Sequence, residues 1–247
     1  MSETTGRFPQ LFGGLALLSL ALVVSAWLGG RALERFRQAD NTITVTGSAR
    51  KSITADFATW RSQVSVESET QQEAYQLLRG ATEEVRTYLV EEQKLAPEAF
   101  TLGAIQTQAL PEYLPNGAQS GRTRAYRLSQ GFEVRLVDVH RVAELAQSSM
   151  ELLNRGLNFE SFAPEYLYTQ LSDLRVEMLA AATEDARQRA EQILKSAGSQ
   201  LGPVRSVRTG VFQITRPHST EVSDYGMYDT STIDKDITAV LSLTFGM

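Results

Sequence analysis

His140 and His218 are the only imidazoles in the chain, and it has no cysteine. Thiolate metal sites, cysteine nucleophiles, disulfides and a histidine-rich metal centre are therefore excluded. Neither histidine belongs to a nucleophile–base–acid motif. His140 falls in the first turn of a predicted helix, where a surface or half-buried histidine is the ordinary reading. His218 lies in the polar connection "RPHSTEVSDYGMYDTSTIDKD". Glu221, Asp224, Asp229, Asp234 and Asp236 there could offer oxygen ligands to a hard cation, but their spacing matches no EF-hand loop. Glu83–Glu84 and Glu91–Glu92 fall on the polar face of a predicted helix, where solvation accounts for them. The glycines of "GSQLGP" and "LFGGL" do not follow a strand and open a helix, so a phosphate cradle is not supported. The residues predict no catalytic set, no cofactor site and no metal site.

The elements that carry these residues can be read from spacing. "LFGGLALLSLALVVSAWLGG", residues 11–30, is uncharged. At ~1.5 Å per residue it reaches ~30 Å, one hydrocarbon thickness. It reads as a membrane anchor through Leu11, Leu18 and Val24, with Trp27 near one interface. A cleaved signal peptide is the competing reading, with small residues at "VSA". Arg7 precedes the run and Arg31, Arg35 and Arg37 follow it, a bias that taken alone puts the body in the cytoplasm. Residues 31–40 read as a linker and 41–247 as the folded body. The chain carries a net charge of −5, and an acidic body argues against a nucleic-acid partner.

In the body, "NTITVTGSAR" and "DFATWRSQVSVES" alternate as strands. Thr70 and Glu73 form a capping box ahead of a helix in which Ala74, Leu77, Leu78, Ala81, Val85, Tyr88 and Leu89 recur at helical spacing. "AFTLGAIQTQALPEYL" and "RTRAYRLSQGFEVRLVD" read as a hairpin joined through "PNGAQSG". Asp138 caps a second helix, whose stripe is Val142, Leu145, Ala146, Ser149 and Leu153. After strands near "LNFESFA" and "EYLYT", Ser172 caps a third helix. Its inner face is Leu174, Met178, Ala182, Ala186, Ala190, Ile193 and Ala197. So many alanines imply close approach to a flat partner, which a sheet supplies. "PVRSVRTGVFQIT" and "KDITAVLSLTF" close the order β-β-α-β-β-α-β-α-β-β. This is an α+β body with a largely antiparallel sheet and packed helices, preceded by one transmembrane helix.

Two connections are long, Pro111–Arg124 and Pro217–Asp236, and long loops are often functional. Tyr113, Arg122 and Arg124 in the first, with Tyr225, Met227 and Tyr228 in the second, are the candidate subunit contacts.

Four stretches together resemble the SIMPL-domain proteins, which include bacterial periplasmic immunogens. They are "ITVTGSARKSITADFATWRSQVSVES", "GRTRAYRLSQGFEVRLVDVHRVAEL", "EDARQRAEQILKSAGSQLGPV" and "ITAVLSLTF". None is a catalytic motif; their order and spacing carry the likeness. "SARKSITAD" stands where relatives more often have a proline-containing turn. The resemblance implies a bacterial envelope protein with residues 1–10 cytoplasmic, one span of the inner membrane and the body in the periplasm. It also implies self-association into large ring-like or channel-like particles, and no agreed reaction. The expected function is a non-enzymatic, membrane-anchored scaffold whose partners are itself and the bilayer. A periplasmic ligand-binding or stress-response module without large assembly is the alternative.

Overall fold

The computed structural model describes residues 8–39 and 41–247, and the side chains of residues 13–28 and 41–247. In chain order the first elements are α1 (Phe8–Ala39), β1 (Thr42–Thr54), β2 (Phe57–Ser68) and α2 (Gln71–Thr87). Next come β3 (Phe100–Leu102), β4 (Gln106–Tyr113), β5 (Gln119–Leu136), α3 (Val139–Ser148) and α4 (Glu151–Asn154). The chain continues with β6 (Asn158–Ser161), β7 (Glu165–Leu167) and α5 (Leu171–Ser196). It closes with β8 (Val204–Thr209), β9 (Gln213–Thr215), β10 (Met227–Tyr228) and β11 (Asp234–Gly246). The result is a mixed α+β fold of antiparallel sheets with packed helices.

The apolar N-terminal run is helical within α1, and its described side chains, residues 13–28, are all exposed. Leu18, Val24 and Trp27 are among them. The side chain of Leu11 and residues 1–7 lie outside the described residues. Among the described residues no helix is long and apolar enough to cross a membrane.

The chain divides into two compact units: Met1–Ala49, Glu177–Gly210 and Ala239–Met247 form one, and Arg50–Val176 with Val211–Thr238 the other. In the larger unit, β3, β5, β2 and β6 lie side by side, with β4 on β5 and β7 on β2. Every pairing in this sheet is antiparallel. Alternation puts Trp60, Val64, Leu128, Phe132 and Val134 inside, where α2 and α3 cover them. Thr70 accepts from the Glu73 amide, 3.2 Å, as a cap should. The return arm of the capping box is diverted: the Glu73 carboxylate takes the Ser68 hydroxyl, 2.6 Å. Asp138 caps α3 through the Arg141 amide, 3.0 Å. The second helix breaks after Ser148 and resumes as α4. The break shifts its phase, so Leu152 is buried and Leu153, on the expected stripe, is exposed.

In the smaller unit α5 packs on β1. The buried residues Met178, Ala182, Ala186, Ala190 and Leu194 recur at every fourth position. Four residues turn a helix ~40° past one full circle, so this line winds slowly, as contact with a twisted sheet requires. Ile193, expected on the line, is instead exposed. Ser172 lies inside the first turn of α5 rather than before it. The alanines meet Gly47: a Cβ there would lie 2.1 Å from the Ala182 carbonyl oxygen and 2.6 Å from the Ala186 Cβ. Glycine on the strand and alanine on the helix are two halves of one close approach.

Candidate functional site

The first long connection is mostly strand. β4 runs to Tyr113 and β5 begins at Gln119, with a register from Leu110↔Ala125 to Tyr113↔Gln119. β2 ends where Ser68 meets Tyr126, so beyond that row β4 and β5 continue as a two-stranded ribbon. Pro111 has no amide to give the ladder, and the register shifts on both sides of it. Gly121 nearby takes φ +79, a value that glycine adopts without strain. The turn closes with the Gly117 amide donating to the Leu114 carbonyl, 2.8 Å, and the Leu114 amide to the Ala118 carbonyl, 2.8 Å.

This ribbon lacks a core of its own. Tyr113 is 61% exposed and Leu114 46%. Arg122 and Arg124 are exposed on the returning strand. Arg124 reaches back to Glu67 at 3.8 Å, and Arg127 also pairs with Glu67. A two-stranded hairpin with both faces in water is marginal in stability.

The second connection is stapled down. β10 pairs in parallel with β9, placing Met227 beside Gln213 and Tyr228 beside Ile214. The Tyr168 amide donates to the Tyr228 hydroxyl, 2.9 Å. Four of the five carboxylates weighed as cation ligands are paired inside the chain. Asp229 accepts from the Ser231 hydroxyl, 2.6 Å, from the Thr232 hydroxyl and from Lys235 at 3.3 Å. Asp234 accepts from the Thr54 hydroxyl, 2.9 Å. Asp236 accepts from Arg50 Nη2, 2.6 Å, the Ser52 hydroxyl, 2.7 Å, and the amide of His218, 3.2 Å. His218 itself has φ +61, so this amide bond holds a left-handed backbone in place. Glu221 pairs with Arg216 at 3.7 Å. Among the described residues no group of three or more acids or histidines could hold a metal ion. Tyr225 stands clear, 97% exposed, as does Val222. The six candidate contact residues thus divide: Tyr113, Arg122, Arg124 and Tyr225 are exposed, while half-buried Met227 and partly exposed Tyr228 also pair in the sheet.

Lys235 escaped the sequence reading. It is fully buried, on the same side of β11 as Ile237 and Ala239, and also donates to the Thr232 carbonyl. Burial pushes its ammonium below the usual lysine value, with Asp229 opposing. Burial pushes the Asp229 carboxyl up, but bonds from Ser231 and Thr232 and the Lys235 charge outweigh it and hold it well below the carboxylate range. The Ser52 hydroxyl, with the Arg50 guanidinium, likewise lowers Asp236. The only sequence signal for this network was a lysine in phase with the apolar residues of β11.

On the polar side of the larger sheet, open grooves of about 240 and 400 Å³ share Arg61 and Phe162. Arg61 lies between Glu133 at 3.6 Å and Glu165 at 3.4 Å, so its charge is already answered.

The elements and their order define a mixed α+β domain of antiparallel sheets with packed helices. The SIMPL family model, described as a protein of unknown function (DUF541), matches residues 43–245. The chain belongs to the SIMPL family. No curated protein matches it.

Proposed function

We propose that this protein is a non-enzymatic envelope scaffold, anchored by its N-terminal helix, that assembles with copies of itself. The observation that carries the reading is the ribbon Leu110–Ala125. It extends past its supporting strand with Tyr113 and Leu114 exposed, and a second copy would supply the missing cover. The anchor is supported by the uncharged run 11–30 on a continuous helix with all its described side chains exposed. Placement in the bacterial inner membrane with the body in the periplasm follows the family resemblance. The test is the mass of the detergent-extracted full chain beside one in which residues 112–120 are replaced by Asn-Gly. A large discrete particle that shrinks on shortening is expected. An unchanged particle would remove the ribbon from the contact, and a monomer in both would overturn the scaffold reading in favour of a ligand-binding module.

A further inference from the structure

In the smaller unit, β11 is flanked by β1 on one side and by β8 on the other, and among the described residues neither flank pairs further. The direction of the outward backbone groups can be read at both edges. The Asn41 carbonyl accepts from the Met247 amide, 3.0 Å, so the odd-numbered residues of β1 face β11. Thr42, Thr44 and Thr46 then turn their amides and carbonyls to the open edge. Ser48 has the same phase, and its amide is met by Asp185 on α5, 2.8 Å, instead of by a strand. On the other edge the Gly210 amide donates to the Val240 carbonyl, 2.9 Å, which turns Val207 and Thr209 outward.

The two edges differ in cover. Every residue of β8 is exposed. Val204 and Val207 lie opposite Phe245 and Leu243, on the apolar side of the sheet, yet remain 50% and 57% exposed. Beside β1 is a groove of about 690 Å³ lined by Val45, Thr46, Asp185, Arg189, Gln192 and Ile193. Ile193 is 51% exposed there. One edge offers uncovered valines and the other an open slot in which Ile193 is exposed among polar side chains. β8 carries Arg205 and Arg208 and no acid, so pairing β8 with β8 would set like charges together. At the groove Asp185 pairs with Arg189 at 2.9 Å and Glu191 with Arg187 at 3.0 Å, so its acids are already answered.

We propose that β8 of one copy adds to the Thr42–Thr46 edge of β1 in the next, so that the sheet continues from copy to copy. This rests on the self-assembly reading above and names a second contact, separate from the ribbon. Because the two edges are different surfaces, the contact is head-to-tail, and repetition closes a ring or extends a filament. Asp185, by holding the Ser48 amide, limits the pairing to the strand's first residues.

The chain has no cysteine, so cross-linking can be clean. The full-length protein would carry Thr44→Cys, Ser206→Cys or both, positions that share one face of the sheet when β8 adds in parallel, and be treated with a short bifunctional thiol reagent. Thr42→Cys and Thr46→Cys paired with Ser206→Cys cover a register slip of two residues. All these positions are exposed, and an unchanged melting temperature would show that the variants fold. A ladder of dimers, trimers and higher multimers in at least one double variant is expected. Dimers from Thr44→Cys alone would overturn the head-to-tail contact. So would no ladder in any double variant while the particle stays large, an outcome that leaves the ribbon-mediated scaffold standing. Monomers throughout would overturn both.

Discussion

The ribbon Leu110–Ala125 and the segment Pro217–Asp236 resemble each other in composition: polar, glycine-bearing and marked by tyrosines. They differ in what their charges do. In the second, Asp229 and Asp236 gather hydroxyls, amides and cations and tie the segment to its own unit. In the first, Arg122 and Arg124 are exposed, and Arg124 makes a long pair with Glu67. Carboxylates placed within reach of local donors make a loop part of the fold. Exposed cations and an aromatic on an unsupported ribbon leave it available to another surface.

Breaking the stapled segment should have the largest effect. Asp229→Ala leaves Lys235 buried without its counter-charge, and about 3 kcal/mol of unfolding free energy should be lost in urea titration. Lys235→Met, which removes the charge and fills the space, should cost far less; equal losses would mean the network contributes packing only. Acid should act on the same place. Asp229 and Asp236 have folded values below the unfolded value of ~3.9, so their stabilisation is complete above that value. It is lost as pH falls from ~4 through the lowered folded values. Amide protection factors over residues 229–236, taken relative to intrinsic exchange at each pH, should therefore fall on acidification below pH ~4; flat protection factors there would refute the assignment.

The smaller effects sharpen the contrast. Tyr113→Ser should change unfolding free energy by no more than ~0.5 kcal/mol, as expected for a surface site, yet reduce the particle mass. Tyr225→Ala should change neither, even though Tyr225 is the more exposed residue. A particle lost through Tyr225→Ala instead would move the contact to the second segment.

Much of the fold was legible because burial and periodicity coincide. Strand β2 puts Trp60, Ser62 and Val64 inside as its alternation requires, and Asp138 caps α3. The errors fall where backbone geometry is set by distant partners. Leu152 replaces Leu153 because the helix breaks, and Leu194 replaces Ile193 because the contact line follows a twisted sheet. The alanine face was legible, but its partner Gly47 was not, since a glycine in a strand does not announce what approaches it. The candidate contacts were visible as tyrosines and arginines in long connections. Which connection was already stapled depended on pairs such as Arg50–Asp236, which no local pattern reveals.

The most direct test of the account is amide exchange across residues 110–125 in the detergent-extracted full chain, at assembling concentration and after dilution. The account predicts slow exchange in the particle and fast exchange after dilution, because a second copy covers a ribbon that has little protection of its own. Equally fast exchange in both, with the particle intact, would contradict it.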